Sequence, residues 1–227
     1  MTNSPISQRW DEEYRQGKYV GEPPLPFVGT ILSTLEKLPD IRGGQGLYVG
    51  CGNGRNYIPL VRAGLHLHGI DVSPVAIQLL SAEMPASALS CQDFRELQSS
   101  VGFDYIIAIQ VFQHGTDNDA AEYFVKAAAL LTPGGLLFLR VNSSTTQIYH
   151  RHRVVEQNPL GGMTISYEEG PKKGLRIHFY SREELLEKIK GLFHLLSEPE
   201  ERVEQRKLPK TGSWSQWEAI FMRSGET

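Results

Sequence analysis

Three closely spaced glycines are the first residues of this sequence whose types and spacing indicate chemistry. Gly50, Gly52 and Gly54 stand between an apolar, strand-like run and a helical pattern. Glycines there let the backbone approach a ligand and leave helix N-terminal amides free to bind it. Asp71 follows Gly50 by 21 residues, at the end of the next apolar run, where a carboxylate can accept hydrogen bonds from both ribose hydroxyls. Together these features predict a nucleoside cofactor site; tight packing is the alternative explanation of the glycines.

The elements that must position these residues alternate between short apolar runs and helical patterns. This alternation is typical of βαβ units and a parallel sheet. We predict strands over 46–50, 67–70, 88–91, 103–109 and 136–141, with helices over 55–63, 74–83 and 119–131. Two late strands, 193–203 and 214–222, have no helix between them and should form an antiparallel hairpin. The predicted fold is therefore α/β: a Rossmann-like, doubly wound, seven-stranded sheet, mostly parallel, with an antiparallel C-terminal hairpin.

The composition limits the class of protein. The 227 residues are 40% hydrophobic and 22% charged, which excludes a disordered, collagenous or coiled-coil chain. The net charge of −3 argues against a surface that grips nucleic acid or an anionic membrane by charge alone. The sequence lacks the run of about 20 apolar residues that a membrane span needs, and its N-terminus lacks a secretory signal. We expect one cytoplasmic domain over residues 1–227, with Cys51 and Cys91 as reduced thiols.

The segment 142–178 departs from this regular pattern and reads as an insertion between core elements. It holds five basic residues against three acidic ones, so it could bind a small anionic substrate, with a solvated loop as the alternative. We predict substrate contacts from Tyr149, His150 and Arg151. Because the histidines here lack accompanying carboxylates or thiols at ligand spacing, we expect no metal. After the insertion, Ser181 and Glu184 fit a capping box at the start of a helix.

The cofactor class follows from a residue that is not glycine. A dinucleotide motif starting at Gly50 would need glycine at position 55, where Arg55 stands, and this disfavours a nicotinamide cofactor. The run YVGCGNG instead resembles the glycine motif of class I S-adenosylmethionine-dependent methyltransferases, and the similarity continues from Trp10 to Arg223. The resemblance implies that the loop holds the methionine part of the cofactor and that Asp71 holds its ribose. It assigns the loop site to Gly50, Cys51, Gly52, Gly54, Arg55, Asp71 and Val72.

The same resemblance assigns roles after the third and fourth strands. Asp93 and Phe94 would meet the adenine, although Asp93 also suits a helix N-cap. Gln110 would meet the methionine moiety and His114 would face the reaction centre. One position departs from the family pattern, since Tyr48 replaces the acidic residue that usually helps to organise the methionine ammonium group.

The N-terminal segment adds a pair of aromatic residues. Trp10 and Tyr14 are four residues apart and project from one helix face, which ordinary packing would also explain. They resemble the N-terminal lid of thiopurine and tellurite-resistance-like methyltransferases, and the loop GCGNGRN is similar to the tellurite-resistance type. The resemblance implies that residues 1–40, with helices over 7–16 and 27–38, form a lid that excludes water from the cationic sulfonium.

The sequence therefore predicts an enzyme that moves a methyl group from S-adenosylmethionine to a small molecule and releases S-adenosylhomocysteine. His114 is the candidate catalytic residue, as general base or orienting group, and a structural role is its alternative. Three other functions stay open: methyl transfer to RNA or protein, a nicotinamide oxidoreductase, and a non-catalytic cofactor-binding protein. Given the acidic balance and the lack of an appended recognition domain, we expect neither a nucleic-acid nor a membrane partner.

Overall fold

The computed structural model of the protein describes residues 4–225. Residues 1–3 of the predicted lid and the last two residues of the predicted domain lie outside this range. The chain forms two compact units. The first holds the residues up to Ile107 together with Leu130–Leu136, and the second holds Ala108–Ala129 and the residues from Leu137 onward. In the part of the chain that is described, no helix combines the length and apolarity that crossing a membrane requires.

Three helices precede the sheet: α1 (Pro5–Arg15), α2 (Phe27–Glu36) and α3 (Pro39–Arg42). Helix α1 begins at a serine cap, because the hydroxyl of Ser4 accepts the amide of Ser7, and a proline occupies its first turn. The two predicted N-terminal helices are thus confirmed to within two residues at each end. The short α3 was not predicted.

The first unit contains the predicted parallel strands. Its elements are β1 (Gln45–Val49), α4 (Tyr57–Arg62), β2 (His66–Asp71), α5 (Pro74–Ser81) and β3 (Leu89–Cys91). Strands β1 and β2 pair in parallel, as do β2 and β3. Strand β2 is buried over its last three residues, so it delivers its terminal carboxylate, Asp71, from the interior of the sheet. Ser73 caps α5, since its hydroxyl accepts the amide of Ala76.

The central strands and the C-terminal hairpin also follow the prediction. They are β4 (Phe103–Ile109), α6 (Asp117–Leu130), β5 (Leu131–Asn142), α7 (Arg182–Ile189), β9 (Phe193–Gln205) and β10 (Ser213–Arg223). Strands β9 and β10 pair antiparallel. The seven-stranded sheet has the order β3-β2-β1-β4-β5-β10-β9, which confirms the predicted fold class. Strand β5 begins five residues earlier than predicted, at the turn after α6.

The segment 142–178 is more ordered than we expected from its sequence. It contains β6 (His152–Gln157), β7 (Met163–Tyr167) and β8 (Arg176–Phe179), which form a separate three-stranded antiparallel sheet. Ile165, Ile177 and Phe179 are buried in it. The sequence did not indicate these strands, because they are short and carry charged and polar residues between the apolar ones, which hides their alternation.

Candidate functional site

The glycine turn joins β1 to α4 in a conformation that side chains disfavour. Gly50, Gly52 and Gly54 have φ angles of 72°, 56° and 96°, in the left-handed region. A Cβ added to Gly52 would lie 2.5 Å from the hydroxyl of Tyr14, and one added to Gly54 would lie 2.5 Å from the Ile58 side chain. The glycines therefore serve both the turn geometry and the close approach of neighbouring groups.

Asp71 lies at the end of β2 and is oriented by two backbone amides. Its side chain accepts the amide of Gly52 on one oxygen and the amide of Ser73 on the other, both at 2.8 Å. The residue is only 6% exposed. Burial raises the pKa of Asp71 to about 6, and a smaller increase comes from the charge of Asp11, while the backbone amides oppose both effects. The two amides leave carboxylate lone pairs available for ribose hydroxyls.

Helix α1 covers the glycine turn with an aromatic side chain. The rings of Trp10 and Tyr14 lie 5.8 Å apart, which confirms that they share a face of α1. Tyr14 is buried, and its hydroxyl lies next to Gly52. Burial first, and then the charge of Asp71, raise the pKa of Tyr14 well above its usual value. The tyrosine is therefore a neutral hydroxyl next to both the glycine turn and the Asp71 carboxylate.

Tyr48 and Cys51 flank the turn as neutral, buried groups. Burial raises the pKa of Tyr48 well above its ordinary value, while a hydrogen bond with the Asn56 side chain opposes the shift. Burial also raises the pKa of the Cys51 thiol, and Cys51 and Cys91 are both free. No carboxylate is thus supplied at position 48, so a cofactor ammonium group would need another partner. Val72 follows Asp71 and is half-buried.

Arg55 binds the connection between α1 and α2. Its Nε donates to the carbonyl of Pro23 at 2.8 Å, and its guanidinium lies 3.0 Å from the carboxylate of Glu22. The same guanidinium stacks 5.3 Å from the ring centroid of Tyr19, a non-glycine residue with a positive φ of 64°. These contacts give Arg55 the role of anchoring the predicted lid segment to the glycine turn.

Asp93 and Phe94 start a short 3₁₀ helix, Phe94–Glu96, after β3. Asp93 accepts the amide of Arg95 at 2.9 Å, which confirms the N-cap interpretation, and it pairs with the guanidinium of the same residue at 2.9 Å. Burial would raise the pKa of Asp93, but the hydrogen bonds and charge of Arg95 outweigh it and lower that pKa. Phe94 is buried. Contacts of either residue with adenine stay a prediction.

Gln110 and His114 belong to the second unit, in the segment that follows β4. Gln110 has a φ of 61°, and its amide donates to the carbonyl of Arg140 at 2.7 Å. A non-glycine residue in this region stores strain of about 1 kcal/mol, which is common at functional sites. His114 is 6% exposed, and burial, with a further contribution from the charge of Lys172, lowers the pKa of its imidazole to about 3. Its ring is therefore neutral at physiological pH.

Strand β8 holds the His114 segment in place. The amide of His178 donates to the carbonyl of Gln113 at 2.7 Å, and the amide of Gly115 donates to the carbonyl of Arg176 at 3.0 Å. Between these bonds, His114 and Ile177 form an antiparallel bridge. The three-stranded sheet thus positions a predicted catalytic residue, a role that its sequence did not indicate.

The predicted substrate residues lie before β6. Tyr149 is 45% exposed, and the Nζ of Lys210 lies 5.9 Å from its ring centroid. The guanidinium of Arg151 lies 3.3 Å from Glu168, and the ring of His150 lies 3.9 Å from the carboxylate of Glu169. Arg151 and His150 thus each already lie beside a carboxylate of the same segment.

A buried polar cluster lies between β8 and α7. His178 bonds to Thr164 at 2.9 Å through Nδ1 and to Glu184 at 2.8 Å through Nε2. Glu184 therefore contacts His178 rather than completing the predicted capping box, although Ser181 does cap α7 through the amide of Glu184. Among residues 4–225, Asp117, His178 and Glu184 could together hold a metal ion. However, the ammonium of Lys188 lies 2.6 Å from Asp117 and 3.2 Å from Glu184, where it supplies the positive charge itself.

Sequence reasoning missed two residues next to Asp71. Asp11 accepts the hydroxyl of Ser73 at 2.5 Å, and Ser73 is the residue whose amide orients Asp71. The buried positions of α1 are Ser7, Asp11 and Tyr14, at helical spacing. An aspartate between the two aromatic residues of a helix face was the available signal, because that face should otherwise be apolar.

The middle of the chain is similar to known methyltransferases. Residues 47–137 match the family model described as a methyltransferase domain. A ubiquinone biosynthesis O-methyltransferase of Bradyrhizobium sp. (strain ORS 278) is 34% identical over 95 residues, which are 40% of this chain and 37% of that protein. The chain thus matches well under half the length of this curated relative. These findings confirm the resemblance to class I S-adenosylmethionine-dependent methyltransferases.

Two solved structures extend the likeness to almost the whole chain. A 1,6-didemethyltoxoflavin-N1-methyltransferase of Burkholderia thailandensis superposes with a TM-score of 0.64 at 17% identity, covering 99% of this chain and 92% of that one. The N-methyltransferase NodS of Bradyrhizobium japonicum WM9 gives 0.61 at 16% identity, covering 98% and 100%. At these identities the likeness concerns the fold.

Proposed function

We propose that this chain, whose residues 47–137 match the family model of a methyltransferase domain, transfers the methyl group of S-adenosylmethionine to a small-molecule acceptor. The observation that carries the proposal is the buried Asp71 carboxylate at the end of β2, hydrogen-bonded to the amide of Gly52 in the glycine turn. The structures similar to this chain include a small-molecule N-methyltransferase with S-adenosylhomocysteine bound.

The residues of the first unit fit such a cofactor. Asp71 offers two carboxylate oxygens to ribose hydroxyls, and the absence of a side chain at Gly52 lets the Tyr14 hydroxyl approach the turn beside that carboxylate. Trp10 and Tyr14 supply aromatic faces that suit a cationic sulfonium. We assign contacts with the cofactor to the remaining predicted residues of this unit as well: Gly50, Cys51, Gly54, Arg55, Val72, Asp93 and Phe94.

The bound cofactor supplies an activated methyl carbon on a sulfonium. Once bound, the cofactor would give up this methyl group to a lone pair of the acceptor, with the electron pair of the broken carbon–sulfur bond remaining on sulfur. The chain accelerates this step by holding the two reactants in line and by excluding water, so a base is needed only for a weakly nucleophilic acceptor. A histidine with a pKa of about 3 is a weak base, so we assign His114 the orientation of the acceptor rather than removal of its proton.

For the acceptor we propose contact with Tyr149, His150 and Arg151. Tyr149 offers an exposed ring, whereas Arg151 is already paired with Glu168. An anionic acceptor is the finer hypothesis. It predicts that Arg151→Ala raises the acceptor KM more than Tyr149→Ala does, and the reverse order would favour an aromatic, uncharged acceptor.

Two measurements on the full chain test the proposed function. Isothermal titration calorimetry should detect binding of S-adenosylmethionine and S-adenosylhomocysteine, and Asp71→Ala should abolish it. Incubation with isotopically labelled S-adenosylmethionine and pools of small hydroxyl, amine and thiol compounds should yield a labelled product by mass spectrometry. Binding without transfer to any pool, to RNA or to protein would favour the non-catalytic alternative; no binding would refute the proposal.

A further inference from the structure

A buried aspartate of helix α1, Asp11, is linked by hydrogen bonds to Asp71, the residue proposed to bind the cofactor ribose. Asp11 is 8% exposed, and its Oδ1 accepts the hydroxyl of Ser73 at 2.5 Å and the amide of Val75 at 3.2 Å. Ser73 in turn donates its amide to Oδ1 of Asp71 at 2.8 Å. One continuous set of hydrogen bonds therefore runs from the predicted lid helix, through the start of α5, to the residue proposed to bind ribose.

The hydrogen bond between Asp11 and Ser73 is important for α1 because the buried face of this helix is largely polar. Its fully buried positions are Ser7, Asp11 and Tyr14, two of which have short polar side chains. A buried carboxylate is costly unless hydrogen bonds and the partial positive charge of a helix start compensate for it, as the N-terminus of α5 does here. Within α1 itself, Arg15 lies 3.5 Å from the carboxylate of Asp11 and is largely exposed. Docking of α1 thus depends on directional bonds more than on apolar area.

The same helix contacts two of the residues whose backbone amides orient Asp71. Asp11 binds Ser73, and the hydroxyl of Tyr14 lies against Gly52. Movement of α1 would therefore disturb the residues on both sides of the Asp71 carboxylate.

We propose that Asp11 is a positioning residue, which locks α1 onto the start of α5 and thereby couples docking of the lid helix to binding of the cofactor ribose by Asp71. The proposal rests on the proposed function, because it concerns the same cofactor. Asp11 touches neither the ribose nor the reacting atoms in this assignment; it acts through Ser73.

The pH dependence of cofactor binding distinguishes the proposed role of Asp11 from a purely structural one, because it responds to the charge of Asp11. The negative charge of Asp11 raises the pKa of Asp71, after the larger effect of burial. The titratable groups that interact electrostatically with Asp71 are Asp11 and Tyr14 on α1, Tyr48 on β1, Cys51 in the turn and Cys91 on β3. Of these, Asp11 and Asp71 are the carboxylates, so neutralising Asp11 should lower the pH at which Asp71 becomes protonated.

The test compares Asp11→Ala and Asp11→Asn with a control, Glu12→Ala, which removes an exposed carboxylate from the same helix. Binding of S-adenosylhomocysteine is measured by calorimetry from pH 5 to pH 8, and hydrogen exchange of the α1 amides is measured with and without ligand. Losing a buried, charge-assisted hydrogen bond should raise Kd by about tenfold or more in Asp11→Ala. Its α1 amides should also exchange faster.

Asp11→Asn keeps an oxygen that can accept from Ser73, so it should restore most of the affinity while moving the pH midpoint of binding to a lower value. Glu12→Ala should match the wild type in both measurements. Far-ultraviolet circular dichroism and Ser73→Ala, which removes the donor from the other side, guard against a variant that simply unfolds. In a double-mutant cycle, Asp11→Ala and Ser73→Ala should be non-additive.

Three results would overturn the proposal. The first is Asp11→Ala binding within twofold of the wild type with unchanged α1 exchange, and the second is an unchanged pH midpoint in Asp11→Asn. Both would leave the proposed function intact. The third is a folded wild type that binds no S-adenosylhomocysteine at all, which would refute the proposed function together with the coupling.

Discussion

Asp71→Asn should weaken cofactor binding and, near neutral pH, should increase the unfolding free energy of the cofactor-free chain. The carboxyl group of Asp71 has a pKa of about 6 in the folded chain against an ordinary value of 3.8, with burial as the main cause. Folding therefore favours its protonated form. Asparagine has nearly the same shape and stays neutral at every pH, so this substitution removes the cost of burying the charge.

The sign and size of the effect follow from the two pKa values. Because the folded pKa is raised, the favourable contribution of Asp71 is complete below about pH 4 and is lost as the pH rises through 6. The difference of roughly two units corresponds to about 3 kcal/mol of unfolding free energy at pH 7.5. Asparagine keeps one of the two amide bonds from Gly52 and Ser73 and so forfeits about 1 kcal/mol. Without cofactor, Asp71→Asn should be more stable than the wild type by about 2 kcal/mol at pH 7.5, and less stable by about 0.5 kcal/mol at pH 4.

Cofactor binding should change in the opposite direction. Ribose hydroxyls need the ionised carboxylate as acceptor, so the wild-type Kd for S-adenosylhomocysteine should be constant above pH 7 and about tenfold higher at pH 5. In Asp71→Asn the affinity should be weak, and it should lack this pH dependence.

Urea unfolding of the cofactor-free chain, followed by tryptophan fluorescence at pH 4, 5, 6 and 7.5, measures the stability difference. Calorimetry over the same range measures Kd. The reasoning is refuted if Asp71→Asn is less stable than the wild type at pH 7.5, or if the two stability curves stay parallel across the whole pH range.

Three further predictions concern other parts of the chain. Gly52→Ala should cost more unfolding free energy than Gly134→Ala and should also weaken cofactor binding, since both glycines have positive φ angles but a Cβ at Gly134 meets open space; equal costs in urea unfolding would contradict this. Glu184→Ala should destabilise the chain by about 2 to 3 kcal/mol, because the buried His178 loses its hydrogen-bonded carboxylate and Lys188 keeps only Asp117, whereas the exposed neighbour Glu183→Ala should change urea unfolding by less than about 0.5 kcal/mol. Because the pKa of His114 is lowered to about 3, its ionisation should not affect the pH dependence of the initial rate between pH 5 and pH 9, measured at saturating S-adenosylmethionine. The rate profiles of the wild type and of His114→Asn should therefore have the same shape in this range. An inflection that is present in the wild type and absent from His114→Asn would identify His114 as a general base.

The positions of the main strands and of the glycine turn were predictable because both depend on local sequence. Gly50, Gly52 and Gly54 occupy positions whose positive φ angles other residues avoid, so their types report the backbone directly. Strand β4 is almost wholly apolar, and it spans 103–109 as predicted. Ser73 and Ser181 likewise cap helices through bonds that reach only three residues along the chain.

The three-stranded sheet and its buried cluster were less predictable. Strands β6, β7 and β8 are short and contain many polar residues, so their local patterns are weak and their pairing depends on distant parts of the chain. The sequence indicated a capping partner for Glu184, yet its carboxylate contacts His178 and Lys188. When several partners are possible for one side chain, the contact that forms depends on which group the tertiary fold places next to it.

The glycine turn and the position of Asp71 at the end of a strand could thus be recognised from the sequence alone, because backbone conformation and strand ends constrain residue type locally. Tertiary structure decided the electrostatic environment of that site. Asp11 lies 62 residues before Ser73 in the chain and contacts it only because α1 packs against α5. The pKa of Asp71 likewise depends on burial, and the amount of water excluded from a carboxylate is set by the whole fold around it.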